Sequence, residues 1–96
     1  MQSITIGEMP TEFLGNWYDT DNGSREWRFG ITLVDLRTGN RFWTYEEIID
    51  LGQGVYDVKI ANGDDIRLYR FRNITASTME YRNKNWDPVK WVTATR

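Results

Sequence analysis

Turn-forming residues divide this sequence into short segments, with a turn signal roughly every eight to twelve residues. The strongest signal is Asn62-Gly63, which separates two segments of alternating apolar and polar residues, 55–61 and 65–72. An Asn-Gly pair in this position is typical of a two-residue β-hairpin turn. The sequence shows no alternation of strand and helix patterns, so its strands are expected to be antiparallel. It therefore predicts an all-β fold, a small antiparallel meander barrel of about six to eight short strands.

The clearest predicted strand covers residues 26–33, where apolar and polar side chains alternate along the segment. Its apolar face is formed by Trp27, Phe29, Ile31 and Leu33. Val34 and Leu36 then break the alternation, which predicts a β-bulge that redirects the chain. Further strands are predicted over residues 14–20, 41–51, 78–82 and 89–95, with turns at 38–40 and 52–54.

The length of 96 residues corresponds to a single domain, residues 1–96. Residues 1–10 alternate only weakly, through Ile4 and Ile6, so they are expected to form a loose lead-in or an edge strand that ends at Pro10. No apolar run reaches the length of a transmembrane helix, and no secretory signal is visible. The sequence alone leaves the cellular compartment open.

The residue types that most enzymes use for acid–base and nucleophilic catalysis are missing. The sequence has no His and no Cys, which removes the commonest general base, the thiolate nucleophile and the usual zinc ligands. Neighbouring carboxylates such as Glu46 and Glu47 point to opposite faces of a strand, so they cannot act as a pair across a cleft. We therefore expect a protein without catalytic activity, cofactor or metal.

A glycine and a tryptophan lie two residues apart at the start of the second predicted strand, where residues 13–18 read FLGNWY. Because side chains alternate along a strand, Phe13, Gly15 and Trp17 point the same way. Gly15 has no Cβ, so a neighbouring segment can approach it closely. Gly15 and Trp17 are therefore predicted to form a structural plug at one end of a small barrel.

This segment resembles the opening motif of lipocalins and related calycin barrels, F-x-G-x-W-Y. In that family the Trp closes one end of the barrel and an Arg from a late strand stacks on it, so the resemblance implies that Trp17 pairs with Arg82 or Arg96. The chain departs from the family in length, since 96 residues are too few for the usual long strands. The chain is also similar to small accessory domains of bacterial envelope proteins that carry thioredoxin-like domains. That resemblance implies a non-catalytic periplasmic module.

Aromatic residues make up 15% of the sequence and have two interpretations. Burial in the core is the default for large rings. The alternative is a pocket lined by some of these rings, which would bind a small apolar or sugar-like ligand. The candidate ligand-binding residues are Trp27, Trp43, Tyr45 and Tyr56. Our first hypothesis is therefore a non-catalytic binding or accessory domain for a small ligand or a protein partner.

Charge is distributed unevenly, since residues 1–65 carry 12 acidic and 5 basic side chains and residues 66–96 carry 2 acidic and 7 basic ones. Arginines that alternate with aromatic residues in the basic part are suited to binding anions or single-stranded nucleic acid. The candidates are Arg67, Arg70, Arg72 and Arg82. The alternative is cross-strand pairing with acidic neighbours such as Asp57 and Glu80. The net charge of −2 argues against nucleic acid.

A third hypothesis is a structural or oligomerisation module. In segment 65–72, Ile66 and Leu68 are expected to face the core. Arg67, Tyr69 and Phe71 would then lie on the opposite, outer face. Association with a second copy of the chain would use either this face, since exposed aromatic side chains favour association, or the edge strands of the sheet. The domain is therefore expected to be a monomer or a homodimer.

Overall fold

The computed structural model describes residues 4–36 and 42–96, and within these ranges the chain forms nine β-strands. The strands are β1 (Ile4–Ile6), β2 (Gly15–Asp19), β3 (Arg25–Phe29), β4 (Leu33–Leu36), β5 (Phe42–Gly52), β6 (Val55–Asn62), β7 (Asp65–Arg72), β8 (Thr78–Asn83) and β9 (Val92–Thr95). A short 3₁₀ turn, Thr11–Phe13, precedes β2, as the break at Pro10 indicates. The turn predicted at 38–40 lies outside the described residues.

Eight of these strands, β2 to β9, form a closed antiparallel barrel in which each strand pairs with the next along the chain. The barrel closes where β2 meets β9, with Tyr18 opposite Thr95. The remaining strand, β1, pairs with the second half of β5, with Ile4 opposite Asp50. The prediction of an all-β antiparallel meander barrel is therefore confirmed.

Strand β5 is the longest and holds three neighbours at once. Its first residues pair with β4, with Trp43 opposite Val34. Its later residues pair with β1 on the same side, with Ile48 opposite Ile6. Strand β6 runs along its other side, with register shifts after Tyr45 and near Gly52. Such irregularities bend a strand, which lets β5 follow the curved wall of a small barrel.

The strand predicted over residues 26–33 is wrong at its far end, because the chain turns back after Phe29. The backbone N–H of Gly30 donates to the carbonyl of Leu33 at 2.8 Å and so begins the turn into β4. A Cβ at Gly30 would lie 2.8 Å from the same Leu33 oxygen, so only glycine fits there. Ile31 and Leu33 are consequently exposed. The break in alternation that predicted a bulge therefore falls in a separate strand, β4.

The predicted facing of β7 is also wrong. Tyr69 and Phe71 point into the barrel and are buried, whereas Ile66 lies on the outer surface with 53% of its area exposed. Both faces of β7 carry large apolar residues, so alternation alone does not distinguish them. The interior takes the larger rings because they bury more apolar area per residue. The outward face of Tyr69 and Phe71 that was expected to bind a second copy therefore does not exist.

The last predicted strand starts later than expected, at Val92 rather than at residue 89. Residues 84–91 instead form a long loop between β8 and β9. This loop contains Pro88, which has no N–H to donate to a strand partner. Trp86 and Trp91 in the loop are half-buried, and Val89 is exposed. The loop therefore places two tryptophans at the barrel surface.

Aromatic rings fill the middle of the barrel. Phe71 is fully buried at the centre of this cluster. Its ring centroid lies 5.2–6.4 Å from those of Phe13, Trp27, Phe29, Tyr69 and Tyr81. Most of these contacts are edge-to-face, which the quadrupoles of the rings favour. An eight-stranded barrel has an interior just wide enough for side chains, and here the rings occupy it.

Replacing Phe71 with alanine is expected to lower the free energy of unfolding by about 3–5 kcal/mol, because the change removes a buried ring and leaves a cavity. Urea unfolding followed by circular dichroism measures the loss. The matched control is Phe42→Ala, since Phe42 is 56% exposed. That variant should stay within about 0.5 kcal/mol of the wild type. Equal losses in the two variants would contradict the central role of Phe71.

Candidate functional site

One end of the barrel, which we call the closed end, is sealed by Trp17 and the 3₁₀ turn that precedes β2. Trp17 is fully buried, and its indole N–H donates to the carbonyl of Phe13 at 2.8 Å. Phe13 packs edge-to-face against Tyr56, with ring centroids 5.3 Å apart. The hydroxyl of Tyr56 in turn donates to the carboxylate of Glu12 at 3.3 Å. Side chains thus fill this end of the barrel.

Arg96 completes the closed end by stacking on Trp17. Its guanidinium carbon lies 4.3 Å from the centroid of the indole ring, which is a cation–π contact. Its N–H groups donate to the backbone carbonyls of Leu14, at 2.7 Å, and of Glu12. One side chain therefore ties the region after β9 to the entrance of β2.

Gly15 gives Arg96 the room that it needs. The backbone there has φ of +110°, which L side chains rarely adopt, and a Cβ would lie 3.3 Å from Nη1 of Arg96. The sequence left Arg82 and Arg96 open as partners of Trp17, and the structure selects Arg96. The guanidinium carbon of Arg82 instead lies 5.6 Å from the ring centroid of Trp91.

At the opposite end of the barrel, which we call the open end, a small chamber of about 120 Å³ lies beside the aromatic cluster. Four of its lining side chains are aromatic: Trp27, Tyr69, Tyr81 and Trp86. The others are Glu26, Leu36 and Arg67. Trp86 comes from the β8–β9 loop, and the rest come from strands. The chamber is therefore a largely aromatic pocket whose walls are strand residues, apart from Trp86 in the β8–β9 loop.

Trp27, which lines the chamber, carries an unusual polar group. The residue is 2% exposed, and its indole Nε1–H finds no hydrogen-bond acceptor among the described residues. Trp17 shows the ordinary situation, in which a buried indole N–H is paired. The Trp27 ring itself is held firmly, stacked on Phe29 at 5.0 Å and edge-on to Tyr69 at 4.7 Å. The donor is thus fixed in place and unsatisfied.

Arg67 brings a positive charge to the chamber. A hydrogen bond to Tyr69 is the main influence that raises the pKa of the Arg67 guanidinium, so this group is charged at any ordinary pH. The guanidinium also lies 4.9 Å from the ring centroid of Trp43 and 3.4 Å from the carboxylate of Asp65. Glu26 supplies a negative charge at the same chamber, so the formal charges of the described lining residues cancel.

A wider surface cleft of about 560 Å³ adjoins the chamber, and the two share Glu26, Tyr81 and Trp86 as lining residues. The cleft lies between the β2–β3 loop and the β8–β9 loop, which supply Asn22 and Asp87 among others. Because their lining residues overlap, chamber and cleft form one site with a narrow aromatic inner part and a broad outer part.

The outer cleft is acidic. Among the described residues, the charged side chains that line it are Asp19, Glu26, Asp87 and Lys90, three carboxylates and one ammonium group. A carboxylate oxygen of Asp19 accepts from the backbone N–H of Asp21 at 2.7 Å, which holds the β2–β3 loop in shape. Ser24 donates to Glu26 at 3.2 Å. The surplus of negative charge favours cations over anions in the cleft.

The four aromatic residues proposed as ligand-binding from the sequence do not come together. Trp27 lines the chamber. Trp43 is buried at 2% exposure and lies beside Arg67 rather than in the chamber wall. The hydroxyl of Tyr45 donates to the carbonyl of Gly30 at 2.8 Å, and burial raises its pKa. Tyr56 belongs to the closed end, and burial together with Glu12 raises its pKa.

The four arginines proposed as anion-binding are also divided. Arg67 faces the chamber. Arg70 donates two hydrogen bonds to Asp57, at 2.7 and 3.0 Å. Arg72 donates to Glu80 at 2.9 Å and lies 3.6 Å from the ring centroid of Trp91. Arg70 and Arg72 are therefore engaged in the cross-strand pairs that the sequence offered as the alternative, which leaves less free charge for an anion.

Sequence reasoning missed most of the residues that line the open end. Tyr81 lies in a predicted strand but was not proposed as a site residue, and Trp86, Asp87 and Lys90 lie in the loop between β8 and β9. One signal was available in the sequence: the polar segment that predicts a loop also contains a tryptophan. Large aromatic residues are unusual in solvated loops. These residues come together because the β2–β3 loop and the β8–β9 loop lie side by side. That arrangement arises only when β2 pairs with β9 and closes the barrel.

Within residues 4–36 and 42–96, no group of three or more acidic side chains is arranged to hold a metal ion. In the same ranges, no helix is both long and apolar enough to cross a membrane. Comparison of the chain with models of protein families, with curated proteins and with solved structures found no match.

Replacing Arg96 with methionine is expected to lower the free energy of unfolding by about 2–3 kcal/mol, because it removes a cation–π contact and charge-assisted hydrogen bonds but keeps the apolar stem. Arg82→Met is the control, since Arg82 contacts Trp91 without a hydrogen bond to the described residues. That variant should lose less than about 1 kcal/mol. Guanidinium chloride unfolding of both variants measures the difference. Similar losses would contradict the assignment of Arg96 as the partner of Trp17.

Replacing Asp57 with asparagine is expected to reduce the loss in free energy of unfolding that occurs as the pH falls. Burial alone would raise the pKa of Asp57, but hydrogen bonds from Arg70 and Lys84 outweigh it and lower the pKa below its usual 3.8. A carboxyl with a lowered folded pKa stabilises the protein at higher pH, and this contribution disappears as the pH falls through that pKa. The free energies of unfolding measured in urea at pH 7 and at pH 3 should therefore differ less for Asp57→Asn than for the wild type.

The control for this experiment is Asp64→Asn, an exposed position in the β6–β7 turn that forms no ion pair with the described residues. It should keep the wild-type pH dependence. If Asp57→Asn kept it too, the paired carboxylate would not be a source of acid sensitivity.

Proposed function

We propose that this domain is a non-catalytic binding module that takes a small, ring-containing ligand at the open end of its barrel. The observation that carries the proposal is the continuous site formed by the aromatic chamber and the outer cleft, with Tyr81 and Trp86 shared between them. Binding sites for small molecules are concave, largely aromatic or apolar, and contain few polar groups in fixed positions. Trp27 and Arg67 provide such polar groups here.

The size of the chamber limits what can enter it. An apolar cavity of about 150 Å³ holds one benzene molecule, and this chamber has about 120 Å³. Deeper entry is blocked by Phe71 and the rings around it, which fill the middle of the barrel. A single planar ring or a group of similar size suits the chamber. The rest of the ligand would lie in the cleft of about 560 Å³.

The resemblance to lipocalins also supports a binding site at the open end of the barrel. The closed antiparallel meander and the Trp17–Arg96 pair at one end are what that resemblance implies. A barrel sealed at one end leaves the other for a ligand. The filled interior differs from the enclosed cavity typical of the family, so the proposed ligand is smaller and binds nearer to the surface.

Two other hypotheses have less support. Association with another copy stays a prediction, and exposed Leu33, Phe42 and Ile66 on the outer wall are the side chains that would serve it. Binding of anions through the basic part is less favoured, because Arg70 and Arg72 are paired with carboxylates. The open end combines shape, aromatic walls and polar groups, and neither alternative offers all three.

Titration with p-cresol, a neutral single-ring probe, is expected to give saturable shifts of indole N–H signals in ¹H–¹⁵N correlation spectra. A dissociation constant on the order of 1 mM is reasonable for a ligand of this size. Trp86→Ala, which removes a chamber wall, should weaken binding several-fold. The matched control is Trp91→Ala, because Trp91 is also half-buried in the same loop but does not line the site. The proposal fails if p-cresol causes no saturable shift, or if both variants bind it as the wild type does.

A further inference from the structure

The unpaired N–H of Trp27 indicates one chemical property of a ligand. Buried polar groups in native proteins are nearly always hydrogen-bonded, so an exception calls for an explanation. The Trp27 ring cannot turn easily to find a partner, because it is packed against Phe29, Tyr69, Phe71 and Tyr81. A ligand atom with a lone pair, placed in the chamber, would accept this hydrogen bond. The part of the ligand that enters the chamber should therefore carry an acceptor.

The acceptor should belong to an uncharged group. Arg67 and Glu26 both line the chamber, so the formal charges of its walls balance among the residues that the structure describes. A carboxylate placed there would meet Glu26 as well as Arg67, and like charges in a confined space repel strongly. A phenol hydroxyl or a carbonyl oxygen accepts from an indole N–H without this penalty. The aromatic walls of Trp27, Tyr81 and Trp86 favour a planar ring as the carrier of that group.

The outer cleft indicates a second property. Among the residues with a described structure, it holds the carboxylates of Asp19, Glu26 and Asp87 and the ammonium group of Lys90. Tyr81 and Trp86 line both cleft and chamber, and aromatic faces attract organic cations. A positively charged group that extends from the chamber past these two rings would therefore meet an attractive potential. A negatively charged group in the same place would be repelled.

We infer that the ligand class is a small aromatic amine, with a ring that carries a neutral acceptor in the chamber and a protonated amine on a short arm in the cleft. This ligand class presupposes the small-ligand binding function proposed above. It adds two requirements that a simple ring such as p-cresol does not test together. The acceptor pairs with Trp27, and the ammonium group lies among Asp19, Glu26 and Asp87.

Three matched probes separate these requirements. Tyramine has a ring hydroxyl and an amine, phenethylamine lacks the hydroxyl, and 3-(4-hydroxyphenyl)propionate replaces the amine with a carboxylate. Titrations followed by ¹H–¹⁵N correlation spectra should give tyramine about tenfold tighter binding than phenethylamine, the effect of one hydrogen bond to a buried donor. Tyramine should also bind several-fold tighter than the carboxylate, and this second preference should shrink as salt is added.

Variants assign each preference to its residue. Trp27→Phe keeps a ring but removes the N–H, so it should abolish the advantage of tyramine over phenethylamine. Asp87→Asn, at an exposed position, should reduce the preference for the amine over the carboxylate. Asp21→Asn is its control, because Asp21 is an exposed acidic residue of the β2–β3 loop that does not line the cleft. If Trp27→Phe fails to fold, the wild-type indole signal of Trp27 still reports the hydrogen bond, since only the hydroxylated probes should move it downfield.

The outcomes distinguish this ligand class from the binding function itself. If p-cresol binds but tyramine binds no tighter than phenethylamine and the carboxylate, the aromatic amine is the wrong class and the binding function stands. If phenethylamine alone matches tyramine, the Trp27 N–H is satisfied by water and the acceptor requirement is overturned. If no probe binds, p-cresol included, the binding function and the ligand class both fall.

Discussion

The packing of aromatic rings around Phe71 is the constraint on which the rest of this structure depends. Short strands enclose a shallow barrel, so few residues are available to fill it, and large rings supply the most buried area for each of them. The rings of Phe13, Trp27, Phe29, Tyr69 and Tyr81 meet that of Phe71. Because they occupy the middle of the barrel, the cavity that remains lies at the open end, beside Trp27 and Tyr81.

The uneven charge along the chain has a structural role in the barrel wall. Acidic residues of the earlier part meet basic residues of the later part when strands lie side by side. Asp57 on β6 receives Arg70 from β7 and Lys84 from beyond β8, at 2.7 and 2.9 Å. Charges that look like a basic surface in the sequence are therefore paired in the fold. The acidic residues that remain near one another, Asp19 and Asp87 among them, gather at the open end.

The fold could be predicted from the sequence because alternation and turn signals are local properties. The hairpin between β6 and β7 and the plug residues Gly15 and Trp17 follow from neighbouring residues, although the two turn residues are Gly63 and Asp64 rather than Asn62 and Gly63. The break after Phe29 could not, because apolar residues keep the same period through the turn at Gly30. The facing of β7 could not either, since both of its sides are apolar and only the packed interior selects Tyr69 and Phe71.

The candidate site was harder to predict, for a different physical reason. Of the four aromatic residues proposed as ligand-binding from the sequence, Trp27 alone lines the chamber. Alternation predicts which face of a strand a residue lies on, but it does not predict which end of the barrel that residue is near. Trp86 and Asp87 reach the site from a loop whose path depends on distant pairing. Arg96 approaches Trp17 for the same reason, and the sequence offered Arg82 equally. The composition of the candidate site thus depends on which segments barrel closure brings together.

The seam between β2 and β9 has a further consequence for how the chain reaches this structure. All the other strand pairings in the barrel join strands that are consecutive in the chain, whereas the seam pairs Tyr18 with Thr95. Contacts between such distant residues form slowly, since a long loop must be ordered first. Until β9 has been synthesised, the meander from β2 to β8 has two unpaired edges that can join other chains. The domain is therefore most exposed to aggregation during its own synthesis, and the arrival of the final strand ends that period.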